Sequence, residues 1–557
     1  MVRSILGHRR RSVAVGVLAV ALVLLSTAAL TGAFAGTSSA TKTNTARQQA
    51  AQHLLKTKAA QLMTAPAQAA LHIQATGDRQ LSQELVAGRP SEPASAGTQA
   101  AQPAFPPANL PNVRVNNPAL DTHQVDQTTQ SETAVAAAGS NVAVGYNDSQ
   151  QTGLFLTAGS GLSGYSFSTN GGASFTDGGN LPNTREFVNF GDPWMGSDRT
   201  GAMYYSTLAL DFFNFNLDVA VAKSTDGGKT WSRPVPVFRP PFSVFYNGDK
   251  DALAVGRDPV LATRDNLYVA YDDFSFDTAT NVAFTGLPVA RSTDGGATWH
   301  LTYADKFVQP MSGCSFQQYI GATPIVDSAT GTLYVTAEKI VVNDPNCTGT
   351  APVLFSESIF KSTDGGQTFG PGVKIADVTS AEPDGLLHLG PGRYARTIEF
   401  PSPAIRGNTI YVAWNDGGQG RSHIRLATST NGGATWSTSF VTGGTTEDVQ
   451  PALSADGAGL HLLYYHRYGN NTLDVLLGDS LNGTSFTTTR VTTQVFSGTL
   501  TIPQFDPVIA FGYMGDYIAN VSHGSHRYFA WGDNRDHVTD FLFPQGRNDP
   551  DVFFAKQ

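Results

Sequence analysis

Five acidic residues recur at the entrance to short β-type runs: Glu132, Asp192, Asp258, Asp448 and Asp516. If those runs stand side by side around a common axis, their carboxylates gather at one end of it. Clustered carboxylates repel one another unless a cation or shared protons relieve them, and hard oxygen ligands favour calcium. The alternative is that each bonds backbone N–H groups where neighbouring sheets meet. A second acidic set, Asp148, Asp273, Asp416 and Asp533, follows the next run of its segment and is expected to fix turns. No other cofactor is called for. Among the aromatic residues, Phe212, Phe213, Phe215, Phe242, Phe245 and Tyr246 stack on sugars if exposed and fill space if buried. Cys314 and Cys347 are the only cysteines. They form one disulfide in an oxidising compartment or stay as two free thiols, and without a CxxC or Cys/His cluster no zinc site is indicated.

Such residues must be positioned by a scaffold, and composition narrows its kind. The chain has 557 residues, of which 15% are charged and 57 are glycine. So little charge and so many turn formers exclude a coiled coil or long helical bundle and fit many short strands. Residues 1–35 read as an export signal: Arg3, Arg9, Arg10 and Arg11 precede an apolar run and a small-x-small Ala33-Phe34-Ala35 site, an uncleaved anchor being the alternative. Residues 36–111 are rich in Ala, Gln, Thr and Pro and read as a flexible leader, linker or propeptide. Setting aside the four arginines of the first 35 residues takes the net charge from −9 to −13. A surface of that sign does not attract nucleic acid or anionic lipid. A secreted or cell-surface protein without membrane insertion beyond an N-terminal anchor is expected.

From residue 112 to 557 short β-branched and aromatic runs alternate with Gly, Asp and Asn, as strands and turns do. One motif punctuates them, as in Ser224-Thr-Asp-Gly-Gly-Lys-Thr-Trp231 and Ser292-Thr-Asp-Gly-Gly-Ala-Thr-Trp299, at intervals of 51 to 70 residues. Its acidic or amide position is filled by Asn170, Asp226, Asp294, Asp364, Asn431 and Asn482, the last in a copy one residue short. Asp or Asn before Gly-Gly supplies the positive φ angles of a tight turn, and the following Trp or Phe buries against the adjoining sheet. The interval suits one four-stranded blade per copy. An all-β propeller is expected, with seven four-stranded blades favoured over six, the last completed by residues 113–116 beside residues 551–555.

The motif resembles the Asp-box, or BNR repeat, of the sialidase/neuraminidase-like β-propellers. The resemblance implies that the boxes lie on the face opposite the ligand site. In that family three arginines hold the substrate carboxylate, a Tyr activated by a Glu is the nucleophile, and an Asp is the acid/base. Arg257, Arg396, Arg535, Asp258, Glu399 and Tyr394 stand near expected entry-face positions and are the candidates for such roles, though none matches the family's motif; ordinary loop residues bridging blades are the alternative. The family's Arg-Ile-Pro motif is missing, since the matching run begins Ser131-Glu-Thr-Ala-Val135. Two functions follow as expectations. One is a glycoside hydrolase of exo-sialidase type acting on glycans; the other is a non-catalytic envelope propeller that binds glycan or protein partners. Either is expected to be a monomer.

Overall fold

The computed structural model describes residues 47–57, 60, 63–76, 105–121, 128–150, 160–211, 213–214, 216–241, 243–277, 280, 282–310, 314–348, 350–380, 386–390, 393–468, 472–497, 515–539, 544 and 546–557. The export signal expected over residues 1–35 lies outside them. Among the described residues no helix is long and apolar enough to cross a membrane.

Antiparallel sheets follow one another along the chain and stand around a central channel. The first contains Gln130–Ala138, Asn141–Asp148, Ser163–Ser168 and Thr176–Asn180 in that order. In the second, Phe187–Asn189 and Trp194–Ser197 share the partner Met203–Asp211, followed by Leu217–Ser224 and Val235–Pro236. The third begins at Gly248–Arg257 and has six strands, the fourth begins at Phe316–Val326, and the fifth at Ser402–Arg406. The sixth begins at Glu447–Ala455 and has five strands. The closing sheet runs from Ala519–His523 through His526–Val538 and Arg547–Lys556 to Val113–Arg114, so the two ends of the propeller segment share one sheet. Val113 pairs with Phe554 there, which leaves no open edge at the seam.

The expected seven uniform four-stranded blades are corrected by this topology. The sheets carry four, five or six strands, and a separate hairpin of Leu386–Gly390 and Arg393–Arg396 joins none of them. The extra strands arise because the connections between blades are themselves long enough to pair, as Val244–Phe245 does with Ser275–Asp277. A second correction concerns the start of the third sheet. Its innermost strand is Gly248–Arg257, not residues 258–262, which form a turn.

Second strands such as Asn141–Asp148 and Thr409–Asp416 are buried along nearly their whole length, because each sheet is covered on both faces by its neighbours. The boxes then fasten sheet to sheet. In each full copy the Ser hydroxyl accepts from the second glycine's N–H, for instance Gly228 N to Ser224 Oγ at 3.0 Å and Gly366 N to Ser362 Oγ at 2.8 Å. The Asp or Asn accepts from the residue four positions on, as Thr298 N does to Asp294 Oδ1 at 2.9 Å. The short sixth copy closes one residue earlier, with Gly483 N on Ser480 Oγ at 2.9 Å. Gly228 sits at φ +84°, and a Cβ there would lie 2.7 Å from the Ala143 methyl of the preceding sheet, so only glycine fits. Trp231 packs edge-on against Tyr165 of that sheet and Tyr205 of its own. The four acids expected to fix turns do so: Asp148, Asp273, Asp416 and Asp533 each accept from the backbone N–H two residues on.

Although burial works against it, hydrogen bonding by Thr298 and Thr368 holds Asp294 and Asp364 down to about 2. Because Asn already serves at three copies, Asp294→Asn is expected to cost under about 0.5 kcal/mol, and Asp294→Ala about 1 kcal/mol, in urea unfolding. Equal losses for both would show that the carboxylate charge, not the turn bonding, is what matters.

Candidate functional site at the channel mouth

The innermost strands all start at one end of the channel, and several begin with a β-bulge. Register slips between Ser131 and Ala134, Asp249 and Ala252, Ile320 and Thr323, and Val449 and Ala452. At these bulges, and at the matching corner of the second sheet, one residue takes a left-handed conformation: Glu132 (φ 50°), Asp192 (φ 54°), Lys250 (φ 41°), Gly321 (φ 65°) and Gln450 (φ 53°). Four non-glycine residues in that region carry real backbone strain, and bulges re-aim side chains. At Asp192 and Gln450 the strain is held by a latch that recurs at Gly321. A polar residue of one sheet's second strand accepts the bulge N–H of the next: Asp192 N to Asn147 Oδ1 at 2.7 Å, Gly321 N to Asp272 Oδ2 at 2.9 Å, and Gln450 N to Asn415 Oδ1 at 3.3 Å.

Glu132, Asp192 and Asp516 are brought together. Asn147 Nδ2 donates to Glu132 Oε2 at 2.8 Å, and the Asp516 N–H donates to Glu132 Oε1 at 3.1 Å. Burial, then the charge of Asp516, raises Glu132 to about 7. Burial, then Glu132 and Asp249, pushes Asp192 well above the carboxylate range. Lys250 supplies the counter-charge. Its Nζ lies 4.0 Å from the Tyr517 ring centre and 4.5 Å from that of Trp194, with Phe400 at 5.5 Å, a geometry for cation–π attraction. Below this group the channel holds a cavity of about 310 Å³ lined by Trp194, Lys250, Phe400, Gln450, Asp516 and Tyr517 among others.

The other expected site residues lie elsewhere. Arg257 and Asp258 stand at the far end of their strand, on the Asp-box face, because that strand starts ten residues earlier than the sequence suggested. Arg257 donates to Ala329 O, while Asp258 pairs with Arg264 and caps the turn at Val260 and Leu261. Asp448 is buried between two histidines, His466 Nδ1 at 2.6 Å and His423 Nδ1 at 3.2 Å; burial would raise it, but these bonds hold it below its usual value. Arg535 is tied to Asp533 and stacked over Phe553 at 4.2 Å. Arg396 and Tyr394 lie on the separate hairpin, and their side chains are outside the described residues. Glu399 is buried at the entry to the fifth sheet, where Ser380 Oγ donates to it at 2.6 Å and Glu338 and Glu357 stand nearby. Among the described residues no group of three or more His, Cys, Asp and Glu is disposed to hold a metal ion. Cys314 and Cys347 are disulfide-bonded, joining the entry of the fourth sheet to its second connection on the mouth face. Phe213 is exposed, whereas Phe245 and Tyr246 are buried; Phe212, Phe215 and Phe242 lie outside the described residues.

Asp249, Lys250, Asp251, Trp194 and Tyr517 escaped the sequence reading. The signal was the charged triplet Asp249-Lys-Asp251 opening an otherwise apolar strand, hidden once the strand was placed at residue 258.

The family model of the BNR/Asp-box repeat matches residues 222–233, which contain the second box. No curated protein matches the chain. Among solved structures, an α-L-arabinofuranosidase from Fusarium graminearum is similar at 13% identity over 69% of this chain and 97% of its own, with a TM-score of 0.38. An intramolecular trans-sialidase from Ruminococcus gnavus shows 12% identity over 67% and 96%, TM-score 0.36. A protein of unknown function from Dyadobacter fermentans shows 14% over 68% and 96%, TM-score 0.36. Motif and topology define this chain as an Asp-box β-propeller resembling the sialidase-like folds.

The buried acids give the fold a pH dependence of definite sign. Burial raises Glu132, Asp148, Asp251 and Asp551 to about 7 and Asp273 to about 6. Groups raised on folding stabilise below their unfolded values, near 4, and that contribution is lost as pH rises through 6 to 7. The depressed box acids act oppositely, losing theirs as pH falls from about 4 toward 2. Calorimetry should therefore find the melting temperature highest near pH 4 to 5 and falling by pH 8; a flat or rising profile from pH 5 to 8 would contradict these assignments.

Proposed function

We propose that the channel mouth is a glycan site and that Glu132 and Asp192 do acid/base work on a glycosidic bond there. The observation that carries this reading is the pair of buried carboxyl groups on left-handed residues beside Lys250, both pushed up by burial and by neighbouring carboxyls. Hydrolysis of a glycoside needs one carboxylic acid to protonate the leaving oxygen and one carboxylate to act as base or nucleophile. Environments that push two carboxyl pKa values apart assign those roles. Burial and repulsion among neighbouring carboxyls push both groups up, so the pair holds a proton between them, and the protonated member serves as acid. Glu132, near 7 and favoured in its charged form by Lys250, serves as the partner. Trp194 and Tyr517 offer apolar ring faces to a sugar.

The same geometry favours a neutral glycan over a sialoside. Planar guanidinium forks are what chelate a sugar carboxylate, and no arginine among the described residues lines the cavity. Lys250 already supplies the counter-charge that calcium would bring, so calcium is given no part in the reaction. The disulfide suits an oxidising, extracytoplasmic compartment. A glycan-binding propeller without turnover is the alternative use of the same mouth.

Neutral furanosides and pyranosides with a chromogenic leaving group, and a sialoside beside them, separate these readings. Glu132→Gln and Asp192→Asn should each lower kcat/KM for a neutral glycoside by about 10² to 10⁴, while both variants stay folded. Turnover of the sialoside alone, or unchanged turnover in both variants, would refute the assignment.

A further inference from the structure

The leader was expected to be a flexible spacer, yet its described part is folded against the propeller. Residues 47–54 are helical, and a second helix spans Ala65–Thr76. Nine of that helix's twelve residues are buried, more than one face can provide, so it is seated in a groove and not laid on a surface. Its small side chains make this fit. Ala67, Ala70 and Leu71 join the apolar cluster of Phe190, Leu208, Leu217, Tyr246, Phe274 and Ile320, which stand at the mouth ends of the second, third and fourth sheets.

The polar fastenings lead straight to the site. Thr64 donates twice to Asp249, from N to Oδ2 at 2.9 Å and from Oγ1 to Oδ1 at 2.7 Å. Asp249 is the residue before Lys250 on its bulge. Pro66 lies over Gly191, where a Cβ would meet the ring carbon Cγ at 3.0 Å; Gly191 precedes Asp192 and takes φ +91°. Farther out, Arg47 donates to Asn216 Oδ1 at 2.9 Å and Val244 O at 3.2 Å, and Gln74 Nε2 to Asn247 Oδ1 at 3.4 Å. Under this cover Glu132, Asp192, Lys250 and Asp516 are each at most 2% exposed.

We infer that the described leader segments, residues 47–57 and 63–76, are a detachable plug of the glycan site, an internal ligand that must leave before a glycan reaches Glu132 and Asp192. The inference rests on the mouth being that site. Two features make the plug releasable. Alanine buries little apolar area per residue, so the helix gains less than a leucine-rich one would. Arg47 is buried 2% exposed, and its desolvation lowers the pKa of its guanidinium, a cost that Asp211 and Asp218 offset. Segments of this kind open sub-globally while the core stays folded. A tethered ligand competes at high effective concentration, so the plug lowers apparent glycan affinity by the fraction of time it is seated.

Hydrogen exchange on the full chain tests this directly. In the unaltered protein, peptides covering residues 65–76 and 248–252 should exchange together, at least tenfold faster than residues 409–416 of the fifth sheet. Thr64→Ala should speed both by a further tenfold or more and leave residues 409–416 unchanged. Exchange of residues 65–76 as slow as that of residues 409–416 would overturn the plug, as would release of the helix with residues 248–252 still protected. Should the plug open as described while Thr64→Ala neither binds nor cleaves any neutral glycoside, the glycan reading fails and the plug stands. Equal turnover by the unaltered chain and by a demonstrably opened Thr64→Ala would remove the plug's regulatory meaning.

Discussion

The latch between sheets is the interaction on which the mouth depends. An Asn or Asp of one second strand takes the bulge N–H of the next sheet, and that bond holds a residue in a backbone conformation it would otherwise avoid. The bulge turns its side chain away from the regular alternation of the strand and toward the axis. The latch is seen at Asp192, Gly321 and Gln450, and the shared left-handed bulge conformation makes neighbours of Glu132, Asp192 and Lys250, which are far apart in sequence and belong to three different sheets. The Asp-boxes do the complementary work at the opposite end, where they fix the spacing of the sheets without entering the chemistry.

Electrostatics at the mouth follow from that convergence. Carboxyls collected in a buried space must keep protons, gain a cation, or find donors. All three solutions occur here, in different places. Burial and the charge of Glu132 push Asp192 well above the carboxylate range; Glu132 has Lys250 and two N–H donors; Asp448 has two histidines that hold it below its usual value. The first two stand side by side, at the bulge of the first sheet and the corner of the second.

Much of the fold was legible in the sequence because turn chemistry is local. Ser-x-Asp-x-Gly-x-Thr-Trp encodes its own hydrogen bonds, and the pairing of residues 113–114 with the C-terminal strand followed from the need to close a ring. The uneven strand counts did not, since pairing by connections such as Val244–Phe245 depends on what those connections meet in space. Of the five acids at expected strand entrances, Glu132, Asp192 and Asp516 stand together, Asp448 lies between two histidines, and Asp258 stands at the far end of its strand. Lys250 and the aromatic faces around it were missed because a bulge leaves no periodic mark. Residues 45–85 have helix-compatible composition, but the docking of Ala65–Thr76 against the propeller is not legible, because alanine burial in a groove shows no apolar stripe.

The central claim is that a bulge-held carboxyl keeps its proton at neutral pH beside a second that titrates. Infrared difference spectroscopy of the unaltered chain against Asp192→Asn, followed from pH 4 to 9, measures this most directly. The account predicts a protonated-carboxyl band that persists at pH 7, vanishes in Asp192→Asn, and is accompanied by a second group, absent in Glu132→Gln, that titrates near pH 7. Absence of any protonated-carboxyl band from that difference spectrum above pH 5 would contradict it.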